Sequence, residues 1–457
     1  RFSRNHQSKE KYAQRALAAA FAACYSFICI KKRHPGGILS MQKPTKFGSY
    51  IIIPLKYDHE SFQEAKLKEK LQVVPVTTMD LNENVKEIFN RSAHAVGTCY
   101  GVSRSILCEA FLNAESFTVQ DNCAALPFQI ADSYLYVFHT QLAFLCLQIT
   151  YDAMEVISKI LNPGFASNTS QFHWVDPEGG CHGFSMEEWL ARLLTPFGLR
   201  KFFDGKSSFL LDAYTYLLAL TPERFRTLDE IKRITFRLHQ MIPLDTPLED
   251  ESEDDIRYAY AVKNPGRGSY RWGCCIASQT ISYAVADESM DLEREMKTQA
   301  SDGLPMVALA LYEKYTCLRF TQLITALEQR KMKQVKNLKK IMLEFQAFGT
   351  ISPANLSRWN NVKQIYAYIL EVNDIPASVS DVSTKINILA EQQEDLERSR
   401  KETLVNLITI FGVISILASV LDIVQTLSSG GTFIWTTTIV TNVALLLVLG
   451  LAMRINK

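Results

Sequence analysis

The C-terminal end of the chain restricts the possible folds more than any other feature. From Leu404 to Leu427 the sequence reads LVNLITIFGVISILASVLDIVQTL. A helix of this length, rising about 1.5 Å per residue, crosses a hydrocarbon core of ~30 Å. A polar loop at 428–432 separates it from a second apolar stretch, Phe433 to Met453. We therefore predict a two-helix transmembrane domain over residues 404–457; the alternative is a buried helical hairpin of a soluble protein.

Basic residues flank this hairpin on one side only. Arg398, Arg400 and Lys401 precede the first apolar stretch, and Arg454 and Lys457 follow the second, whereas the loop carries no charge. Positively charged flanks are retained on the cytoplasmic side of a membrane. The pattern predicts a multi-pass protein of the cell inner (plasma) membrane, with the lipid bilayer as a partner and both chain ends in the cytoplasm.

The N-terminal end gives a weaker membrane signal. Residues 16–30 form an apolar run that is shorter than the ~20 residues usual for a span, and Lys31-Lys32-Arg33 follow it. Met41 opens a sequence that resembles an ordinary protein start and continues into a predicted strand. We expect residues 1–40 to be an extension outside the functional fold; a signal sequence or an additional anchor is the competing interpretation.

Charge, cysteine spacing and the motifs that are missing argue against several classes of function. The 49 Lys+Arg and 48 Asp+Glu leave a net charge of +1, so direct nucleic-acid binding through bulk charge is not expected. The ten cysteines show no CxxC spacing and predict reduced thiols rather than a zinc site or a disulfide framework. The chain also lacks the GxGxxG, GxxxxGK[ST], HExxH and GxSxG motifs, so we expect no cofactor and no enzyme.

Residues 41–303 predict a mixed α/β cytoplasmic domain, which makes the fold class α+β. Its short apolar and aromatic runs are typical of strands, and turn residues separate them. The predicted strands are Tyr50–Leu55, Ser133–Thr140, Gln141–Tyr151, Arg257–Val262 and Tyr270–Val285, with a helix at Asp152–Leu161. An acidic run at 249–255 is consistent with a divalent-cation site or with a solvated loop.

A helical region at 304–377 and a stalk helix at 378–403 lead to the first span. We predict helices at Met306–Phe345, with a basic, solvent-facing side, and at Asn355–Val372. In the stalk, Val382, Ile386, Leu389 and Leu396 have the spacing of a packing seam. No proline interrupts residues 379–427, so one helix of about 70 Å would join the stalk to the first span.

One side of the first predicted span is polar in its outer half and apolar in its inner half. At 100° per residue its outer polar side chains fall within about 60° of one another. In an oligomer, Asp422 would place a ring of carboxylates in a wet vestibule, above a hydrophobic gate. The alternative is that Asp422 lies near the outer interface and simply reaches water. The predicted pore-lining residues are Leu404, Ile408, Phe411, Ser415, Ser419, Asp422 and Thr426.

This arrangement resembles the CorA-like family of metal-ion transporters. The shared features are a mixed cytoplasmic domain, a long helix that continues into the first of two C-terminal spans, and a basic tail. The family's Gly-Met-Asn triplet is absent, because Gln425–Gly431 reads QTLSSGG. The resemblance implies a homopentamer whose first span lines the pore, with a divalent cation such as Mg²⁺ as a permeant or regulatory ion.

Because it lacks this triplet, the sequence resembles a divergent branch more closely, namely the CorA-like effectors encoded beside type III CRISPR systems. That resemblance implies antiviral defence and a pore opened by a nucleotide second messenger. An exposed hairpin combines cations for phosphate with rings for base stacking, although a plain exposed hairpin is the alternative. Its candidate ligand-binding residues are Lys263, Asn264, Arg267, Tyr270, Arg271 and Trp272.

Three functions follow from the sequence. The first is an oligomeric CorA-like ion channel or transporter gated by its cytoplasmic domain, with the CRISPR effector as a specific form. The second is a housekeeping Mg²⁺ transporter. The third is a membrane-anchored enzyme or sensor without a pore.

Overall fold

A computed structural model describes most of the chain between residues 45 and 428. The described residues are 45–58, 60–90, 96–109, 111, 114–121, 124–161, 171–204, 209–210, 212–241, 256–326, 332–428 and 443. The predicted N-terminal extension and the acidic run at 249–255 lie outside them, as does the second span apart from Val443. Two compact units are present: Arg1–Thr325 with Ile341–Val382, and Ala326–Lys340 with Ser383–Lys457. The five-part domain division stays a prediction.

The first unit contains one branched sheet, in which we number fourteen described strands. Its main order is β12-β13-β14-β11-β1-β7-β5-β4-β8-β9, and all described pairs are antiparallel except β11 with β14. The strands are β1 (Lys46–Lys56), β2 (Gln72–Val73), β3 (Gly97–Val102), β4 (Ser116–Asp121), β5 (Ala124–Ile130), β6 (Ser133–Phe138), β7 (Leu142–Tyr151), β8 (Gln171–Val175), β9 (Cys181–Phe184), β10 (Arg200–Lys201), β11 (Tyr214–Thr221), β12 (Ala259–Asn264), β13 (Ser269–Ile276) and β14 (Thr280–Ala286).

The centre of the sheet is the pair β1 and β7. Both strands are buried on both faces, which accounts for their nearly continuous apolar sequences. The other edge of β7 is shared: β6 pairs with its first half and β5 with its last three residues. The strands predicted at Ser133–Thr140 and Gln141–Tyr151 are confirmed as β6 and β7, which pair with each other.

One predicted strand is wrong in extent. The single strand expected at Tyr270–Val285 is two antiparallel strands, β13 and β14. A tight turn separates them, in which the amide of Ala277 donates to the carbonyl of Thr280 at 2.8 Å. Both halves contain aromatic and β-branched residues, and no glycine or proline lies between them, so composition did not reveal the turn.

Most of the helices belong to the first unit, and the second unit contains the larger part of two others. They are α1 (Glu64–Lys70), α2 (Glu83–Asn90), α3 (Arg104–Glu109), α4 (Glu155–Leu161), α5 (Met186–Leu194), α6 (Leu228–Gln240), α7 (Leu292–Ser301), α8 (Gly303–Ala326), α9 (Met332–Glu344), α10 (Pro353–Leu356), α11 (Asn360–Val372) and α12 (Ile375–Ser428). The helix predicted at Asn355–Val372 is divided into α10 and α11, because Ser357 is extended.

Helix α8 is buried around most of its circumference, as expected for a helix that is apolar on all sides. The basic, solvent-facing side predicted for this region lies on α9, where Lys336 and Lys340 are exposed. There Lys336 lies 3.3 Å from Glu397 and Lys339 lies 3.9 Å from Glu394, both carboxylates being on α12. Exposed pairs of this kind contribute little to stability.

Helix α12 continues without a break from a polar stretch of sequence into the apolar stretch. It begins at Ile375 rather than near Ser378, directly after Asp374, whose φ of 52° is left-handed. Pro376 lies in its first turn, where no helical N–H donor is lost. The predicted continuous helix is confirmed over the described residues. The predicted seam is wrong at Leu396, whose side chain is 54% exposed.

Two polar contacts attach α8 to α11 and to the turn before α12. The carboxylate of Glu313 accepts hydrogen bonds from the hydroxyl of Tyr366 at 2.7 Å and from the amide of Ile351 at 3.1 Å. The ammonium of Lys314 donates to the side chain of Asn373 at 2.7 Å. The start of α12 is therefore fixed to the core of the first unit.

Burial raises the pKa of Glu313 to about 7, although its two hydrogen-bond donors oppose the shift. The folded state consequently binds this proton more tightly than the unfolded state does. Its contribution to the free energy of unfolding is greatest below the unfolded pKa of 4.5 and falls as the pH rises to about 7. A shift of this size corresponds to roughly 3 kcal/mol.

Glu313→Gln should remove this pH dependence, because glutamine keeps the size and the acceptor oxygen without a charge. We expect the thermal midpoint of the full-length variant in detergent to exceed that of the wild type more at pH 8 than at pH 5. Glu83→Gln, at an exposed carboxylate, is the control. Equal pH responses in the wild type and in Glu313→Gln would contradict the assignment.

Candidate functional site

The apolar part of α12 presents large hydrophobic side chains to its surroundings on several sides. Their exposed fractions lie between 43% and 66%. Among the described residues this is the one helix long and apolar enough to cross a membrane, and none of its apolar stretch is buried. The exposed residues are Val405, Ile408, Ile410, Val413, Ile414, Ile416, Leu417, Val420, Leu421 and Ile423. So large an apolar surface marks an interaction site or a membrane-facing segment.

The predicted pore-lining residues differ in exposure along this helix. Leu404, Phe411, Ser415 and Asp422 are half-buried, as are Leu407 and Ala418, whereas Ile408 and Ser419 are exposed. Thr426 belongs to the helix, but its side chain lies outside the description. The covered side of the helix therefore overlaps the predicted stripe and is displaced from it toward Leu407. The pore-lining role itself stays a prediction.

Hydroxyl groups in this segment return to the backbone of their own helix. Ser419 donates to the carbonyl of Ser415 at 2.9 Å, and Thr409 donates to that of Val405 at 2.8 Å. These groups therefore need no solvent or partner chain, and they do not hinder insertion into lipid. The carboxylate of Asp422 is a much stronger polar group, and its environment decides how this face of the helix is used.

The six candidate ligand-binding residues of the hairpin fall into two groups. Lys263, Asn264 and Arg267 are exposed at the tip. There the side-chain oxygen of Asn264 accepts hydrogen bonds from the amides of Gly266 at 3.0 Å and Arg267 at 3.3 Å, so it stabilises the turn. The remaining three lie further along β13. A common nucleotide-binding role for all six stays a prediction.

A register shift in the pairing of β12 with β13 places the side chain of Tyr270 in different surroundings from those of Arg271 and Trp272. Pairing with β12 shifts register between Ala261 and Lys263, which leaves Arg271 and Trp272 together opposite a single residue. In a regular strand these two side chains would point to opposite faces; beside a bulge the alternation is broken. Both therefore line the same cavity, whereas Tyr270 packs toward α6.

This cavity, which we call the acidic cavity, has a volume of about 250 Å³. It lies between β13–β14, α7, the start of α8 and α11, all in the first unit. Aromatic side chains form one wall and aliphatic side chains of α8 and α11 another. Its charged lining residues are Asp80, Arg271, Glu295 and Asp302.

The carboxylates of the acidic cavity are in different environments. Asp302 accepts hydrogen bonds from the hydroxyls of Thr78 at 2.8 Å and Ser301 at 2.9 Å. Glu295 accepts one from the amide of Gln299 at 2.8 Å. Burial, reinforced by the charge of Asp302, raises the pKa of Asp80. This cluster could not be predicted from the sequence, because the fold brings Asp80 to residues far along the chain.

Metal ligands do not cluster in the described part of the chain. No group of three or more His, Cys, Asp or Glu side chains there is arranged to hold a metal ion. All described cysteines except Cys181 are buried, as expected for core thiols.

Comparisons with known proteins leave the family open. No protein-family model matches the chain. No curated protein matches it either. Among solved structures, the complete CorA magnesium transporter from Methanocaldococcus jannaschii is 11% identical in sequence; the match covers 56% of this chain and 94% of that chain, with a TM-score of 0.20. A TM-score this low carries no structural argument.

Proposed function

We propose that this chain is a subunit of an oligomeric, CorA-like membrane ion channel or transporter. The observation that supports this function is helix α12 itself. It starts within the first unit and continues without a break into a segment whose apolar side chains are exposed. A helix of this kind connects a soluble domain to the membrane without a flexible joint.

The face of α12 that carries Asp422 would line the pore. A carboxylate that faces lipid costs on the order of 2.5–3.5 kcal/mol on insertion scales, so the assembled protein gains if this face turns away from the acyl chains. Several copies around an axis would place Ser415 and Asp422 in a wet vestibule. Phe411 and Ile408, nearer the cytoplasm, would form a constriction that closes by excluding water.

The remaining features of this proposal come from the sequence. A second span at 433–453 returns the chain to the cytoplasm, as the basic flanks indicate. The subunit number, five, and a divalent permeant or regulatory ion follow from the resemblance to CorA-like proteins. The role of a type III CRISPR effector, opened by a nucleotide, is the specific form of the proposal.

Control of the pore by the cytoplasmic domain is supported by the contacts at the start of α12. Lys314 and Glu313 of α8 hold the turn at Asn373 and the helix α11 that precedes it. A ligand that shifted α11 would therefore act directly on the beginning of α12.

Ion flux into liposomes tests this function. The full-length chain would be reconstituted with an entrapped Mg²⁺-sensitive dye and, in parallel, with a K⁺-sensitive dye. Flux that begins only when an adenine nucleotide is added supports the gated channel, and constitutive Mg²⁺ uptake supports the housekeeping transporter. If the reconstituted protein passes no cation either with or without the nucleotide, the proposed pore is contradicted.

Asp422→Asn should lower cation conductance several-fold without loss of assembly, because it removes the ring of negative charge from the vestibule. Single-channel recording measures the conductance, and size-exclusion chromatography measures the assembly. Thr409→Val, on another side of α12, is the control and should leave conductance unchanged. An unaltered conductance in Asp422→Asn would remove this residue from the pore.

Phe411→Ala should make the closed pore leaky, because a smaller side chain widens the apolar constriction and lets water remain in it. The measurement is dye release or ion leak from liposomes without any activating ligand. Val413→Ala truncates an exposed apolar side chain elsewhere on the helix and serves as the matched control. A closed state as tight as that of the wild type would argue against a gate at Phe411.

A further inference from the structure

The acidic cavity holds more negative charge than its own donors neutralise. It is lined by three carboxylates and one guanidinium, and Arg271, which carries the guanidinium, is exposed at its rim. Asp302 and Glu295 accept hydrogen bonds from neighbouring side chains. Within the described part of the chain, no side chain or amide donates a hydrogen bond to the carboxylate of Asp80, which is half-buried. A half-buried carboxylate without a donor is stabilised by any cation that can reach it.

Aromatic rings line the cavity beside these carboxylates. Trp272 and Tyr283 lie with ring centroids 6.3 Å apart and an angle of 36° between their planes. A cation within about 6 Å of such a ring is attracted to its face. The strand bulge that turns Arg271 and Trp272 toward the same side creates this wall, and bulges often occur next to functional sites.

Another part of the lining, which we call the aliphatic wall, consists of Met306, Val362 and Ile365. This combination suits an organic molecule with an apolar or flat body rather than a bare metal ion, and the described residues contain no set of three metal ligands. A phosphate group would meet three carboxylates and a single arginine. The volume of about 250 Å³ lies below the ~300–1,000 Å³ of pockets for drug-sized ligands, so the ligand is small.

We propose that the acidic cavity binds a small organic cation. Its ammonium or guanidinium group pairs with Asp80, and its body packs between Trp272, Tyr283 and the aliphatic wall. This inference concerns a site in the first unit and does not depend on the proposed pore, because binding is measured directly.

Three probes with the same ring and different charge test the charge preference: phenethylamine, 2-phenylethanol and phenylacetate. Isothermal titration of the full-length protein in detergent should give the tightest binding for phenethylamine and the weakest for phenylacetate. Equal affinities for the three probes, or a preference for phenylacetate, would overturn the proposal. Displacement of phenethylamine by Mg²⁺ at concentrations well below those of the bulk salt would also overturn it, in favour of a metal site.

Two variants of opposite sign test the location. Asp80→Asn should weaken phenethylamine binding by about tenfold or more, because it removes the charged partner. Asn361→Asp adds a carboxylate to the lining and should strengthen binding, so it tests the site even if Asp80→Asn folds poorly. Glu83→Gln, at an exposed carboxylate outside the cavity, should leave the affinity unchanged. If neither cavity variant changes the affinity, phenethylamine binds elsewhere and the proposal is wrong.

Discussion

A helix that crosses from water into lipid has to satisfy all of its backbone hydrogen bonds internally, and one described helix is long and apolar enough to cross a membrane. Helix α12 meets this requirement with one continuous helix from Ile375 to Ser428. Hydroxyls within the apolar segment also return to the helix backbone, as Ser419 does. The carboxylate of Asp422 remains the group whose surroundings distinguish a pore from a simple anchor.

The first unit places its ionisable groups in contrasting environments, and the contrast separates structure from candidate function. Glu313 is almost fully buried, but two donors hold its carboxylate, so it serves to join α8 to α11. Asp80 is only half-buried, yet no described group donates to its carboxylate. The first pattern is that of a structural contact; the second is that of a site that gains from a ligand. Helix α11 lines the acidic cavity and directly precedes α12, whose apolar segment carries the other candidate site.

Periodicity predicted those parts of the fold in which one local pattern dominates. The buried strands β1 and β7 and the unbroken α12 belong to this group, because continuous apolar runs and the absence of proline are local properties. The division of Tyr270–Val285 into two strands was missed, because both halves contain β-forming residues and no glycine or proline marks the turn between them. The acidic cavity could not be predicted, because only the tertiary structure brings Asp80 close to Asp302. In addition, the sequence does not indicate the register shift in β13, next to which both Arg271 and Trp272 line the cavity.

An electron cryomicroscopy reconstruction of the full-length chain in lipid nanodiscs tests the central claim most directly. We expect several copies around one axis, with α12 helical from Arg400 through Leu404 and with Ser415 and Asp422 facing that axis. A break in the helix between Arg400 and Leu404 would contradict it. So would an arrangement in which Asp422 faces the acyl chains.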